Sequence, residues 1–236
     1  MEKKRFTCYG STMSSQPVRA LCFIADPCES QALFSLLPFT ALYPPRIFRY
    51  HTPQLTLDLC LLHAWGSSAV HHAIQDYPQA LTSYDLWLNL GFAGACSPAI
   101  PLSTCYLIEH LGKLHPHDQS LSEAPQLIFT PKATALQTTS LVTADAPYIL
   151  GFHKTFQLVD MEGYAIATLA HSQGLPLSII KITSDYTLPR RKTFVQEHSA
   201  ALASVLAKTL LSSLPEILES ATIPRKQDRL LDSTPD

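Results

Sequence analysis

Leu177-Ser-Ile-Ile-Lys-Ile-Thr-Ser-Asp-Tyr186 is a strand-like run whose apolar pattern gives out at Asp185. A short apolar run bounded by turn residues reads as a buried strand. In an α/β protein, ligands bind in the crevice beyond the carboxyl ends of such strands, so a bare carboxylate there faces the ligand. Two further acids occupy comparable junctions: Glu29, just after the apolar run Leu21 to Ala25, and Glu162, within Val159-Asp-Met-Glu-Gly-Tyr-Ala-Ile-Ala167. Three acids at three element junctions point to acid/base chemistry.

Outward from this run, apolar segments predict strands near 20–25, 55–64, 86–91, 104–109, 139–143 and 156–160. Helices are expected over 29–37, 67–77, 163–173 and 192–213. In the last of these, Phe194, Val195, Leu202, Val205, Leu206, Leu210 and Leu211 recur at helical spacing and make one apolar face. Strands alternating with helices imply an α/β fold with a central mixed or mainly parallel sheet flanked by helices. The Pro-rich stretch 38–53 and the His/Pro/Ser-rich stretch 112–126 read as loops at the sheet rim, where lids arise.

The chain has 236 residues, enough for one large domain, expected over 19–215 between a flexible extension, 1–18, and a polar tail, 216–236. Charged residues make up only 15%, against roughly 25% in ordinary soluble domains, which leaves surface for an oligomer. With 17 basic and 19 acidic residues and no basic stripe, nothing supplies the phosphate neutralisation that nucleic acid needs. The basic start Met1-Glu-Lys-Lys-Arg5 leads into a Ser/Thr-rich stretch rather than an apolar one, so export is not expected. No apolar run approaches the roughly 20 residues that cross a bilayer, and a membrane partner is not expected either. Six cysteines without paired spacing read as reduced thiols, which fits a cytoplasmic protein.

Three segments carry a resemblance. Leu88-Asn-Leu-Gly-Phe-Ala-Gly-Ala95 resembles the Asn-x-Gly-x-Ala-Gly loop of the nucleoside phosphorylase/nucleosidase superfamily, Val159 to Ala167 its Val-x-Met-Glu segment, and Ile182-Thr-Ser-Asp185 its Ile-Ser-Asp strand end. Ala25-Asp-Pro-Cys-Glu29 resembles the first strand and acidic turn of the same family, and the matches fall in family order. They resemble most the hydrolytic branch, the 5'-methylthioadenosine/S-adenosylhomocysteine nucleosidases and futalosine hydrolases. The resemblance implies a cofactor-independent, metal-free homodimer that releases adenine from a nucleoside.

Physical chemistry explains why such residues would be needed. Breaking a purine N-glycosidic bond builds positive charge on the ribose and negative charge on the base, so the site needs a proton donor at one and an anion at the other. Asp185 fits the donor, which the resemblance places at adenine N7, provided burial or a neighbouring acid keeps it protonated. Glu29 would activate water from the opposite side, in the manner of the base of an inverting glycosidase. Glu162 would hold the ribose hydroxyls with Met161 against the sugar. Ala93 and Gly94 would let the backbone approach a planar base, and Ser184, Phe92 and Phe194 complete the expected substrate contacts.

Plainer readings stand beside these. Asp185 can cap the turn before Leu188-Pro189, Glu29 suits the first turn of any helix, and Asp160 can serve as an N-cap. Ala93-Gly94 can be a tight turn, Phe194 a core residue, and Phe92, where the family carries a small or hydroxyl residue, can stack or pack inward. A phosphorylase would need Arg and N–H groups aimed at a dianion, and Gly66-Ser-Ser-Ala69 at a helix start is the feature that keeps it open. His71-His72 and His115-Pro-His117 have no third ligand at metal spacing, no serine elbow is present, and Cys96 reads as a small buried residue. A catalytically silent nucleoside-binding protein is the non-enzymatic alternative. For the 5' group, Arg46, Arg49, His51, Lys113 and His117 are cations in the divergent loops, which leans the reading towards a carboxylated, futalosine-type substituent.

Overall fold

Runs that are apolar on both faces belong in the middle of a sheet covered by helices, and the four such runs of this chain pair side by side. The computed structural model describes residues 16–43, 45–115, 120–123, 133, 135–189 and 192–231, with the side chains of 123, 192–194 and 222–231 outside that description. Its elements are β1 (Val18–Ile24), α1 (Pro27–Leu36), β2 (Thr40–Ala41), β3 (Ile47–His51), β4 (Leu55–Leu61), α2 (Ser67–Asp76), a 3₁₀ turn (Pro78–Leu81), β5 (Leu86–Ala95), β6 (Cys105–Leu114), β7 (Leu121–Glu123), β8 (Gln137–Ala144), β9 (Leu158–Asp160), α3 (Gly163–Ser172), β10 (Leu177–Tyr186) and α4 (Lys192–Leu231). The expected mixed sheet flanked by helices is the fold found.

β4, β1, β5 and β10 run parallel in that order. β10 then pairs antiparallel with β6, β6 parallel with β8, β8 parallel with β9, and β9 antiparallel with β5. Five strands therefore close on themselves, and β1, β4, β3 and β2 extend from the ring as an open wing. Both edges of β10 have a partner, β5 on one side and β6 on the other, which leaves it no exposed edge.

Two stretches expected to be loops contain strands. β2 and β3 lie within 38–53, because Ile47-Phe-Arg-Tyr-His51 alternates and pairs antiparallel with β4 once the flanking prolines have been passed. β6 runs on to Leu114 and pairs with β7 inside 112–126. The last helix also exceeds its expected end at 213, continuing through Pro215 to Leu231.

The helices split between the two faces. α1 and α4 bury Leu33, Leu202, Leu206, Leu210 and Ile217 against the even-facing residues of β5, Leu86, Leu88 and Leu90. α2 and α3 bury Val70, Ile74, Ile166 and Ala170 with Trp87 on the other face. Within α4, Val195–Ala221 is long and apolar enough to cross a membrane, with mean hydropathy 1.4, contrary to the expectation that no run approaches that length. Its apolar side is the wall of the core, as in any core helix of this length. Leu206 is 1% exposed, so Leu206→Ala is expected to cost about 2–5 kcal/mol in denaturant unfolding, through lost burial and the cavity left behind.

Candidate active site

Glu29 is the third residue of α1, and it takes part in a capping box with Asp26, whose side chain accepts from Cys28 N at 2.9 Å. Its Oε2 accepts from Asp26 N at 3.1 Å, the helix-capping role that the first turn favours. Its Oε1 reaches across to accept from Phe92 N on β5 at 2.6 Å. The same side chain is thus both cap and bridge between two strand ends. Gly91 makes the bridge possible, since a Cβ there would stand 3.1 Å from Oε1 and 3.3 Å from Oε2. Glu29 is 6% exposed. Burial pushes its carboxyl up to about 7, against the pull of the Lys181 ammonium and of the two N–H donors.

Lys181 sits beside Gly91 in the β10–β5 register and is 1% exposed. An ammonium so deeply buried needs a partner, and Asp160 supplies it at 2.8 Å. Asp160 Oδ2 also accepts from Gly163 N at 3.0 Å and Oδ1 from Thr143 Oγ1 at 2.7 Å, so this carboxylate is held from three directions. The N-cap position of α3 is nevertheless Glu162, although it is Asp160 that binds the first-turn N–H. Desolvation works to lower the Lys181 pKa, but Asp160, Glu162 and Glu29 together carry it above the ordinary lysine value.

Glu162 is 6% exposed, and its Oε1 accepts from Gly66 N, in the loop after β4, at 2.6 Å. Burial first and the Asp160 charge second raise its pKa, while Lys181 and the N–H donors oppose them. Met161 lies next to it, its Cε 3.9 Å from where a Cβ on Gly66 would stand. Three carboxylates and one ammonium therefore share one buried centre, between the carboxyl ends of β1 and β9 and the middle of β5 and β10. Sequence reasoning missed Lys181; the signal was a lysine inside an otherwise apolar strand run.

Asp185 is half-buried beyond this centre, where a bulge between Thr183 and Asp185 sets it opposite Gly94. Bulges re-aim side chains at sheet rims. Ser184 Oγ–H donates to Asp185 Oδ1 at 2.7 Å, with Ala93 O as its second acceptor at 3.3 Å. Gly94 is needed here, because a Cβ would come within 2.6 Å of Thr187 Cγ2. Glu29 lies over Gly91, three residues before Gly94 along β5, a separation of roughly 10 Å at about 3.3 Å per residue. Phe92 contributes its N–H, while its ring packs with the α1/α4 cluster. The Phe194 side chain lies outside the described residues.

Several of the other candidate side chains have partners within the protein. Arg49 forms a bidentate pair with buried Asp58 at 2.8 and 2.7 Å, His51 Nδ1 meets Thr56 Oγ1 at 2.9 Å, and Lys113 meets Asp145 at 3.2 Å. Arg49 and Lys113 are thus already paired with carboxylates, which weakens the lean towards a carboxylated substituent; His117 lies outside the described residues. Burial pushes the Cys96 thiol up to about 12, so it is no thiolate at neutral pH. Among the described residues no group of three His, Cys, Asp or Glu is placed to hold a metal ion, and the described cysteines are free thiols.

The family described as the phosphorylase superfamily matches residues 136–214. No curated protein matches the chain. An MTAN of Chlamydia trachomatis, solved bound to MTA and also bound to adenine, is 34% identical, with 85% of this chain and 99% of that chain covered and a TM-score of 0.72. The 5'-methylthioadenosine/S-adenosyl homocysteine nucleosidase of Helicobacter pylori is 14% identical, covering 85% of this chain and 99% of that one at a TM-score of 0.68. A futalosine hydrolase mutant of the same organism is 13% identical, covering 84% and 99% at 0.69, so these two share the fold. On the 34% identity over nearly the whole Chlamydia trachomatis chain, this chain belongs to the nucleoside phosphorylase/nucleosidase superfamily, in its nucleosidase branch. The fold is one of soluble enzymes.

Proposed function

We propose that the protein is a cytoplasmic nucleosidase that hydrolyses the N-glycosidic bond of 5'-substituted adenosines and releases adenine. The observation that carries this reading is Glu29, buried, raised to about 7 and bridged to Phe92 N, on one side of the Lys181 centre, with Asp185 about three strand residues away on the other. In this reading Asp185, oriented by Ser184, hands a proton to the base as negative charge develops there. Ionised Glu29 takes a proton from water, which attacks the anomeric carbon from the opposite face. Glu162, fixed by Gly66 N, accepts hydrogen bonds from the ribose hydroxyls, and these strengthen as the sugar becomes cationic. Lys181 keeps the neighbouring carboxylates ionised enough to serve.

Water rather than phosphate is favoured by the occupation of the Gly66 N–H. The helix start at Gly66-Ser-Ser, the feature that could bind an anion, already faces a carboxylate, and a dianion there would meet Glu162 and Glu29. Incubation with 5'-methylthioadenosine, S-adenosylhomocysteine and aminodeoxyfutalosine, with and without phosphate, should release adenine and the free sugar in each buffer. A requirement for phosphate, with a sugar phosphate as product, would select the phosphorylase; tight binding without release would select a silent binder.

Gly91→Ala probes the base directly. The added methyl group forces the Glu29 carboxylate to give way by a few tenths of an ångström, and turnover is expected to fall about tenfold or more, since small misplacements of catalytic groups are costly. An unchanged kcat at an unchanged denaturation midpoint would remove Glu29 from the role. Exposed Ile149, Leu150 and Phe152, on a loop tied to Thr187 through Gly151 N, support assembly as a homodimer that covers this rim. Sedimentation at micromolar concentration should give twice the 26.1 kDa chain mass.

A further inference from the structure

We propose that Thr187 is a positioning residue for the proton donor: its hydroxyl ties the strand end that carries Asp185 to the loop through Gly151, and this tie, with the sheet, holds the acid in place. The inference rests on the role given to Asp185 above. The sheet by itself supports that residue weakly. Antiparallel pairing of β10 with β6 covers only Ile180 to Ile182, so Asp185 lies beyond it. On the β5 side the register shifts between Thr183 and Asp185, and after Asp185 only Tyr186, opposite Ala95, remains before the pairing stops. A bulge disrupts the ladder locally, so a residue set between a bulge and a strand end needs other anchors.

Two buried threonines take over where the ladder gives out. Before the acid, Thr183 Oγ1 donates to Pro101 O at 2.7 Å and accepts from Thr104 N at 3.1 Å, and Ser103 N donates to the Thr183 carbonyl at 2.8 Å. After the acid, Thr187 Oγ1 donates to Gly151 O at 2.8 Å, and the Thr187 carbonyl accepts from Gly151 N at 2.8 Å. That exchange is reciprocal, as in an antiparallel pair with a hydroxyl standing in for one amide. The Thr187 amide also donates to Ala95 O at 3.3 Å. Its Cγ2 packs on Gly94, the residue opposite Asp185, where a Cβ would stand only 2.6 Å away.

The loop on the other side of the tie is fixed in turn. Gly151 has φ +88°, His153 N donates to Cys96 O at 2.7 Å, and the Phe152 ring meets the Tyr186 ring edge-on at 5.7 Å. Residues 151–153 are therefore stitched to the end of β5 and to both residues that follow Asp185. Thr187 serves this frame with two groups on one β-carbon, a methyl for Gly94 and a hydroxyl for Gly151. Small misplacements of a catalytic group are costly in rate, so the frame matters to the chemistry as well as to the fold.

Thr187→Val keeps the volume and a methyl on Gly94 and deletes the hydroxyl. With 5'-methylthioadenosine, kcat should fall about tenfold while KM stays within about threefold, and Thr187→Ser should restore most of kcat. A double-mutant cycle on single-turnover rates separates positioning from folding. In an Asp185→Asn background Thr187→Val should cost nothing further, because no acid is left to position, whereas damage to the fold would lower both backgrounds by the same factor. If Thr187→Val does not fold, Gly151→Ala, which strains the same pair from the loop side at φ +88°, takes its place in the cycle. Equal losses in both backgrounds, or an unchanged kcat in the single variant, would overturn the tie while Asp185 remained the acid. A full rate in Asp185→Asn alone would bring down the reading beneath it, and the proposal with it.

Discussion

Asp185→Asn is expected to lower turnover by about 10² to 10⁴-fold, the usual worth of a placed general acid, while nucleoside binding persists. The amide keeps the shape of the carboxyl and can still accept the 2.7 Å bond from Ser184 Oγ, so the ring-closed sheet around it is undisturbed. What it loses is the transferable proton, and the leaving purine must then depart as an anion. Single-turnover rates and equilibrium binding of 5'-methylthioadenosine, measured side by side, separate the two effects. Near-normal turnover would take Asp185 out of the chemistry, and lost binding would make it a structural residue of the β10–β5 bulge.

Glu29→Gln should be comparably damaging and should also change the pH profile. The base works only when ionised, and burial raises its pKa to about 7; the acid limb of wild-type kcat/KM should therefore be a fall as pH drops through 7. Glutamine cannot ionise, so the variant should lose both the rate and this acid limb, falling by roughly 10² or more. Its carboxamide oxygen can accept from only one of the two backbone donors without rearrangement, Phe92 N or Asp26 N. The pH profile therefore carries the argument better than the rate alone. An acid limb that survives in Glu29→Gln would assign the titration to another member of the Lys181 centre, Glu162 above all.

The expected strands at 20–25, 55–64, 86–91 and 177–183 and the four helices were legible because their signals are local: apolar runs between turn residues, and the leucines of α4 at helical spacing. The carboxylates at strand ends were legible for the same reason. The ring closure was not, since the pairing of β9 with β5 joins Leu158 to Ala95 across 62 intervening positions of sequence, and a three-residue strand carries no periodicity of its own. β3 was hidden by its proline-rich approach and by Arg49, whose polarity makes sense only once Asp58 is seen opposite it. The same long-range pairing misled the reading of cations, because spacing in the chain shows a charge but not whether another charge already answers it. Lys181 was the reverse case: a charge in a core strand that announces a partner, Asp160, 21 positions earlier.

The pairing of β10 on both edges has a kinetic corollary. Segments with every backbone amide engaged and few exposed neighbours open last in native-state hydrogen exchange, so the amides of Ile179 to Ile182 should be among the slowest in the molecule and those of β2, a two-residue strand at the outer margin, among the fastest. The proton donor would then ride on the most durable part of the protein. Any breathing that admits a nucleoside falls to the surrounding connections, and slow-exchanging strand amides should look alike with and without a bound purine.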